Sequence, residues 1–316
     1  MSVHFFTACW SQQLAQVFLL ADQLAEHHPD SLLWVGWMDE SFNVAVPANV
    51  RLIKVEDIPG LLPLAERYTK TEFLHISRVW LGRHLLNQVA LIFLEPETQV
   101  LRPLTAVVEA LKQRPAVLFS QWLQPHPDTQ FPDSKYFLNY GTYFSGIWAI
   151  RPDARTNSFL AWWCQNLETR GGYHLCEGQG SDQLWLDMAP ALFEGVLPLR
   201  NAAYGIHAGN AFERTIAEPV TLHHGGLSYQ SGQYASYLTN RPMPAYFKEA
   251  SKRYKTLVTK QPVYNQTQSR QPAFGLPDPF EPVSLKRQHW AAWVQKWIKT
   301  INTYQPDFLF RQSQPQ

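Results

Sequence analysis

The segment Val89–Leu104, VALIFLEPETQVLRPL, constrains the fold of this chain more than any other. Val89–Leu94 is an apolar run of strand length that ends at a proline, which marks a buried core strand rather than a helix. The run passes directly into two carboxylates, Glu95 and Glu97, held apart by Pro96. In an open α/β sheet, ligands bind outside the carboxyl ends of the strands, so these carboxylates stand where such a sheet does its chemistry. Two hard oxygen donors one residue apart can hold a divalent cation that also contacts phosphates. Spacing alone leaves a second reading open, because Glu is also common where a strand simply exits into a loop.

The stretches around it supply the rest of a sheet. Val3–Ala8 reads as a strand, and Gln12–His27 as a helix with Leu14, Val17, Phe18, Ala21 and Leu24 on one face. Pro29 ends that helix. Ser31–Met38 and Val50–Val55 read as further strands, and Glu66–Gln88 as a long helical stretch. Pro103–Gln113 reads as a helix and Pro115–Gln121 as a strand. Trp122–Tyr140, rich in Pro, Asp and Tyr, reads as a loop. Phe144–Ile150 reads as a strand, Asn157–Thr169 as an amphipathic helix and Val220–Leu222 as a short strand. The β-α-β-β order with buried strands implies an α/β fold, an open, doubly wound sheet flanked by helices.

A chain of 316 residues can bury a large core. Its net charge of +1 supplies no drive toward nucleic acid. Cys9, Cys164 and Cys176 form neither a disulfide framework nor a zinc motif. The amino terminus lacks the pattern of a signal peptide, and no apolar run reaches the roughly 18 residues of a membrane span. A cytoplasmic location is the expectation.

Four motifs, in order, resemble the GT-A-type glycosyltransferases, the nucleotide-sugar enzymes related to glycogenin and the bacterial galactosyltransferases. Leu94-Glu95-Pro96-Glu97 stands where that family carries a strand followed by Asp-x-Asp, with Glu replacing both aspartates. Tyr143-Phe144-Ser145-Gly146 resembles its Asn-Ser-Gly strand, with Phe144 in place of Asn. Gly180-Ser181-Asp182-Gln183 resembles its Asp-Gln element. His223-His224-Gly225-Gly226 resembles its late His-x-x-Gly metal ligand. The resemblance covers roughly Val3–Ser228 and implies a mixed GT-A-type sheet.

It also implies roles. Glu95, Glu97 and one of His223 or His224 would hold a divalent cation, Mn²⁺ or Mg²⁺. Neighbouring residues of a strand point to opposite faces, so one histidine alone can serve. Arg78, on the helix before the metal strand, would face the nucleotide-sugar. Thr7 and Ala8 would meet the nucleotide base. Ser145 and Gly146 would line the sugar site, where Gly146 permits close backbone approach. Asp182 and Gln183 would act at the transferred sugar. On the residues alone, Ser181 or Asp182 is a helix N-cap, Arg78 a solvated charge, Gly146 a bulge, and the His pair a surface turn.

The implied activity is transfer of a sugar from a nucleotide-sugar, a UDP-sugar, to a glycan or lipid-linked acceptor. The double Glu exchange and the missing Asn motivate a second reading, a catalytically degenerate sugar- or nucleotide-binding subunit in surface-polysaccharide synthesis. A nucleotidyltransferase is disfavoured, because Cys9-Trp10-Ser11-Gln12-Gln13 is not a Gly-rich basic loop. The expected division is a catalytic domain at residues 1–228, an irregular linker at 229–282 and an amphipathic helix and tail at 283–316. In Ser284–Tyr304, capped by Ser284, the residues Trp290, Trp293, Val294, Trp297, Ile298 and Ile301 form one stripe among Lys286, Arg287, Lys296 and Lys299. A basic, Trp-rich stripe suits peripheral contact with the inner face of a membrane. The same periodicity suits packing on the catalytic domain or on another subunit.

Overall fold

The computed structural model describes residues 2–40, 44–87, 89–126, 130–214, 218–278 and 285–303. Gln88, Ser284, the tail after residue 303 and parts of two expected loops lie outside the described residues. Two units are distinguished, Met1–Pro277 and Asp278–Gln316.

The first unit begins with β1 (Val3–Cys9), α1 (Leu14–His27), β2 (Leu33–Trp37) and β3 (Val50–Lys54). Helix α2 (Lys70–Leu85) leads into β4 (Ala90–Leu94) and β5 (Thr98–Val100), followed by α3 (Thr105–Gln113) and β6 (Ala116–Ser120). Next come α4 (Ser134–Tyr140), β7 (Tyr143–Ile150) and α5 (Ala154–Arg170). The short strands β8 (Tyr173–His174) and β9 (Gln179–Gly180), helix α6 (Ala189–Leu192) and strands β10 (Val196–Leu199), β11 (Ile206–His207) and β12 (Thr221–His223) follow. Helices α7 (Ala245–Thr259) and α8 (Tyr264–Thr267) complete it.

A seven-stranded sheet runs in the order β10-β6-β7-β4-β1-β2-β3. Strand β7 is antiparallel to both neighbours, β4 and β6, while the other pairs are parallel. The fold class is the expected mixed, doubly wound α/β sheet. Alternation along the strands divides the core. Phe5, Ile92 and Ile147 face α1 and α3, whereas Phe6, Phe93 and Trp148 face α2 and α5. A second sheet runs in the order β11-β12-β5. There His223 lies opposite Thr98 and Leu222 opposite Gln99.

Two elements depart from the sequence expectation. The Trp122–Tyr140 segment contains α4, nucleated where Asp133 accepts a hydrogen bond from the Tyr136 amide at 3.0 Å. The stretch expected as an irregular linker contains α7, which buries Phe247, Tyr254 and Val258. Tyr254 and Val258 join the core beneath α1, so the first unit extends to Pro277. A backbone ladder ties its last residues in place, with Leu276 exchanging hydrogen bonds with Tyr68 and Lys70 at 2.8 Å each.

In the second unit, α9 (Leu285–Thr303) carries Trp290, Trp293, Trp297, Ile298 and Ile301 as exposed side chains. No described helix is long and apolar enough to cross a membrane.

Candidate active site

The antiparallel setting of β7 builds the site. Because β7 runs against β4, its first residues arrive at the edge where β4 ends. The Glu95 amide donates to the Gly146 carbonyl at 3.0 Å, which places Ser145 and Gly146 beside the first carboxylate. The second sheet brings the histidine. The His224 amide donates to the Glu97 carbonyl at 3.0 Å, so β12 is stitched to the Glu95–Glu97 turn.

Helix α2 delivers the cation at the centre. Thr69 and Glu72 form a reciprocal capping box that fixes its start. Two turns on, the buried Arg78 guanidinium reaches three side chains. Its Nη1 pairs with Glu95 Oε1, its Nη2 donates to Ser145 Oγ at 3.0 Å, and Asp182 holds Nη2 and Nε at 2.7 and 2.6 Å. The planar fork matches a carboxylate edge to edge, which a lysine could not do. Phe93 lies under the guanidinium, 5.5 Å from ring centroid to Cζ.

His223 Nε2 stands 2.6 Å from Glu95 Oε2. Burial favours the neutral form of this imidazole, but the paired Glu95 and nearby Glu97 outweigh it and raise its pKa. Burial likewise opposes the charge on Glu95, but His223 and Arg78 prevail and hold the carboxyl well below the usual carboxylate range. Glu97 shifts the other way, pushed up by burial and by Glu95 against the pull of His223. Among the described residues it makes no ion pair, and its Oε1 accepts from the neutral Gln13 Nε2 at 2.8 Å.

Two cavities meet at the Arg78–Glu95 pair. The first, about 240 Å³, lies at the ends of β1 and β4 and is lined by Ala8, Trp10, Gln13, Glu97 and His223. The second, about 150 Å³, is lined by Ser145, Asp182, Gln183, Tyr136, Tyr140 and Tyr173. His75, one helical turn before Arg78, lines both. Gln183 joins the walls of the second. Its Oε1 accepts from Ser145 Oγ at 3.1 Å, and its Nε2 donates to the Tyr140 carbonyl at 2.5 Å.

The expected residues therefore divide. Glu95, Glu97, His223, Arg78, Ser145, Asp182, Gln183 and Ala8 are brought to the two cavities. His224 is not. It points to the opposite face of β12, where both ring nitrogens are engaged by Tyr234 and Gln99 and the ring stacks on Tyr254 at 4.1 Å. Thr7 is fully buried on the face of β1 opposite Ala8 and cannot meet a base. Gly146 lines neither cavity. The room a Cβ would need is filled by Phe144 and by Glu95 Oε2, so the glycine makes space for protein rather than ligand.

Other site residues had no expectation. His75 shares a helix face with Arg78 at i−3, a spacing that was there to find. The tyrosines of α4 and β8 had no local signal, since only the tertiary fold brings them to Asp182.

Among the described residues no cluster of three or more His, Cys, Asp or Glu side chains is arranged as a metal site. The donor types are nonetheless those of one, although both oxygens of Glu95 and Nε2 of His223 are engaged within the protein. Glu95, Glu97 and His223 line one cavity, two oxygen donors and one nitrogen donor suit an Mn²⁺-like ion, and Glu97 is a half-buried carboxylate without a cation partner among the described residues.

Solved structures similar to this chain include glycosyltransferases. The galactosyltransferase LgtC, in complex with donor and acceptor sugar analogues, matches at a TM-score of 0.54 and 15% identity, over 82% of this chain and 96% of its own. The bifunctional glycosyltransferase WbbM matches at 0.51 and 11%, over 85% and 52%. GlyE of Streptococcus pneumoniae TIGR4 matches at 0.50 and 11%, over 85% and 65%. The fold is of the GT-A type. No family model and no curated protein matches the sequence.

Proposed function

We propose that this chain is a glycosyltransferase that moves a sugar from a nucleotide-sugar, a UDP-sugar, to a glycan or lipid-linked acceptor. The observation that carries this reading is the meeting of two cavities at the Arg78–Glu95 pair, one lined by carboxylate and imidazole donors and the other by Asp182 and Gln183. The first suits a nucleoside diphosphate, with Ala8 and Trp10 toward the base. The second suits the sugar to be moved.

Arg78 grips both oxygens of Asp182 with one edge of its guanidinium, so the carboxylate presents a fixed geometry toward the second cavity. There it would orient sugar hydroxyls and stabilise positive charge at the anomeric carbon, while Gln183 adds hydrogen bonds. Glu95, Glu97 and His223 would hold a divalent cation, Mn²⁺ or Mg²⁺, which supplies Lewis-acid charge for the leaving diphosphate.

Calorimetric titration of UDP and a panel of UDP-sugars, with Mn²⁺ and then with EDTA, tests this. Metal-dependent binding is the expected result. No binding under either condition by a folded sample overturns it. That outcome would favour a sugar- or nucleotide-binding subunit without catalysis. One observation already bears on that second reading, since Arg78 and His223 engage both oxygens of Glu95.

We also propose that α9 contacts the inner face of the membrane peripherally. Its exposed tryptophans lie along a helix that also carries Lys296 and Lys299. Removal of residues 283–316 should abolish flotation with anionic liposomes, and undiminished flotation would refute the contact.

A further inference from the structure

The second cavity is graded from floor to rim. Its floor is polar and closed, with Asp182 1% exposed and Ser145 3%. Its rim is aromatic and open, with Tyr140 38% exposed and Tyr173 43%. Tyr136 and Tyr140, one turn apart on α4, stack with centroids 4.3 Å apart and planes within 14°, forming one continuous aromatic edge. Across the opening, Tyr173 donates to or accepts from His75 Nδ1 at 2.7 Å, which fixes that ring also.

Such a rim is normally held loosely, because exposed loops order poorly. Here three anchors fix it. Gln183 Nε2 grips the Tyr140 carbonyl from the floor. Gln121 Nε2 donates to the Gly141 carbonyl at 2.6 Å. Before α4, Arg241 Nη2 donates to the carbonyls of Gln130 and Pro132 at 2.8 and 3.0 Å, with its guanidinium 4.2 Å over the Phe212 ring. Rigid, half-exposed tyrosines beside a few convergent polar groups are the lining of a small-molecule site. A pyranose presents what this lining needs, one face of C–H groups and a rim of hydroxyls. Tyrosines supply apolar contact area with little entropy to lose.

We infer that the Tyr136–Tyr140 edge of α4, facing Tyr173, is the acceptor subsite, and that it takes a neutral pyranose ring stacked on tyrosine at the rim while the transferred sugar occupies the Asp182–Gln183 floor. Arg241 is a positioning residue for this edge. The inference rests on the glycosyltransferase reading of the site, and the experiment keeps the two apart. Saturation-transfer NMR is recorded on the full chain with UDP, Mn²⁺ and the methyl glycosides of glucose, galactose and mannose, so that nucleotide and sugar report separately.

The expected result is saturation of the ring C–H protons of at least one glycoside. Tyr140→Ala and Tyr136→Ala should each weaken its binding about tenfold or more. Tyr140→Phe should retain it, and UDP signals should persist in all three. Because the rim is half exposed, these variants should fold, and unchanged thermal melting verifies it. Arg241→Met should weaken glycoside binding, with recovery at saturating glycoside, and leave UDP untouched. Saturated UDP with no glycoside signal, or glycoside signals indifferent to both alanine variants, overturns the subsite. Glycoside signals without UDP binding overturn the donor reading and leave the sugar site standing. Silence from both in a folded sample overturns both.

Discussion

At the scale of single residues, the site is organised by charge that cannot all be satisfied at once. Arg78 answers Asp182 and half of Glu95, His223 answers the other half, and Glu97 is left with a neutral amide. A carboxyl whose folded pKa is raised costs stability once the pH exceeds its unfolded value, because the folded state resists losing the proton. The cost is absent at low pH and complete above the raised pKa. Glu97→Gln is therefore expected to raise the melting temperature at neutral pH and to leave it unchanged in acid. The same substitution should weaken Mn²⁺-dependent UDP binding at least about tenfold, since even outer partners of a metal site contribute that much. Calorimetry and thermal melts on one preparation test both halves, and a variant that gains stability while keeping metal-dependent affinity would remove Glu97 from the donor site. Little of this was legible in sequence. Glu95 and Glu97 announced themselves by following an apolar strand. The Arg78–Asp182 contact joins residues 104 positions apart, and no local pattern encodes it. Neighbouring His223 and His224 could not be separated until the pairing of β12 with β5 fixed which face looks outward.

At the scale of elements, strands were the legible part, because apolar runs bounded by turn residues have few other uses. β1, β4, β6 and β7 lie within a residue or two of where their sequences place them. Helices with an ambiguous composition were not. The polar α7 has Phe247, Ser251, Tyr254 and Val258 at helical spacing, yet its lysines and tyrosines masked the stripe. α4 sits inside a proline-rich segment, and Asp133 as its cap was the available signal. The element that shapes the candidate site is the start of β7, where the chain must pass Phe144 and Glu95 in close succession. A Cβ at Gly146 would lie 2.5 Å from Glu95 Oε2 and closer still to the Phe144 ring. Gly146→Ala should therefore cost about 1–3 kcal/mol as an overpacked position. It should also displace Glu95 and so weaken UDP binding. Urea denaturation and UDP titration check the pair of effects, and a variant with unchanged stability would show that β7 can shift without strain.

For the whole molecule, buried histidines set how the first unit responds to acid. Burial drives the pKa of His207 and His224 from 6.5 down to about 3, with the nearby His223 acting in the same direction on each. Between those limits the unfolded chain binds protons that the folded chain refuses. Stability therefore rises with pH through this window and falls as pH drops below about 6.5, by up to about 1.4 kcal/mol per pH unit for each histidine. Glu95 works in the same direction at lower pH, since its depressed pKa contributes stability that is lost progressively as pH falls from the ordinary carboxyl value toward the folded one. His223 has a raised pKa and works the other way, its contribution fading as pH rises through the folded value. His223 acts only above 6.5, and below it the lowered His28 and His75 join the two rings against Glu97, so the urea midpoint should decline from about pH 6.5 to about pH 5. His224→Phe isolates one contribution. It leaves Tyr234 and Gln99 without their ring partner and should lower stability at every pH, yet it should also flatten the decline by one histidine's share. The slope rather than the midpoint is the test, and a slope equal to that of the parent chain would mean that His224 does not stay neutral in the fold.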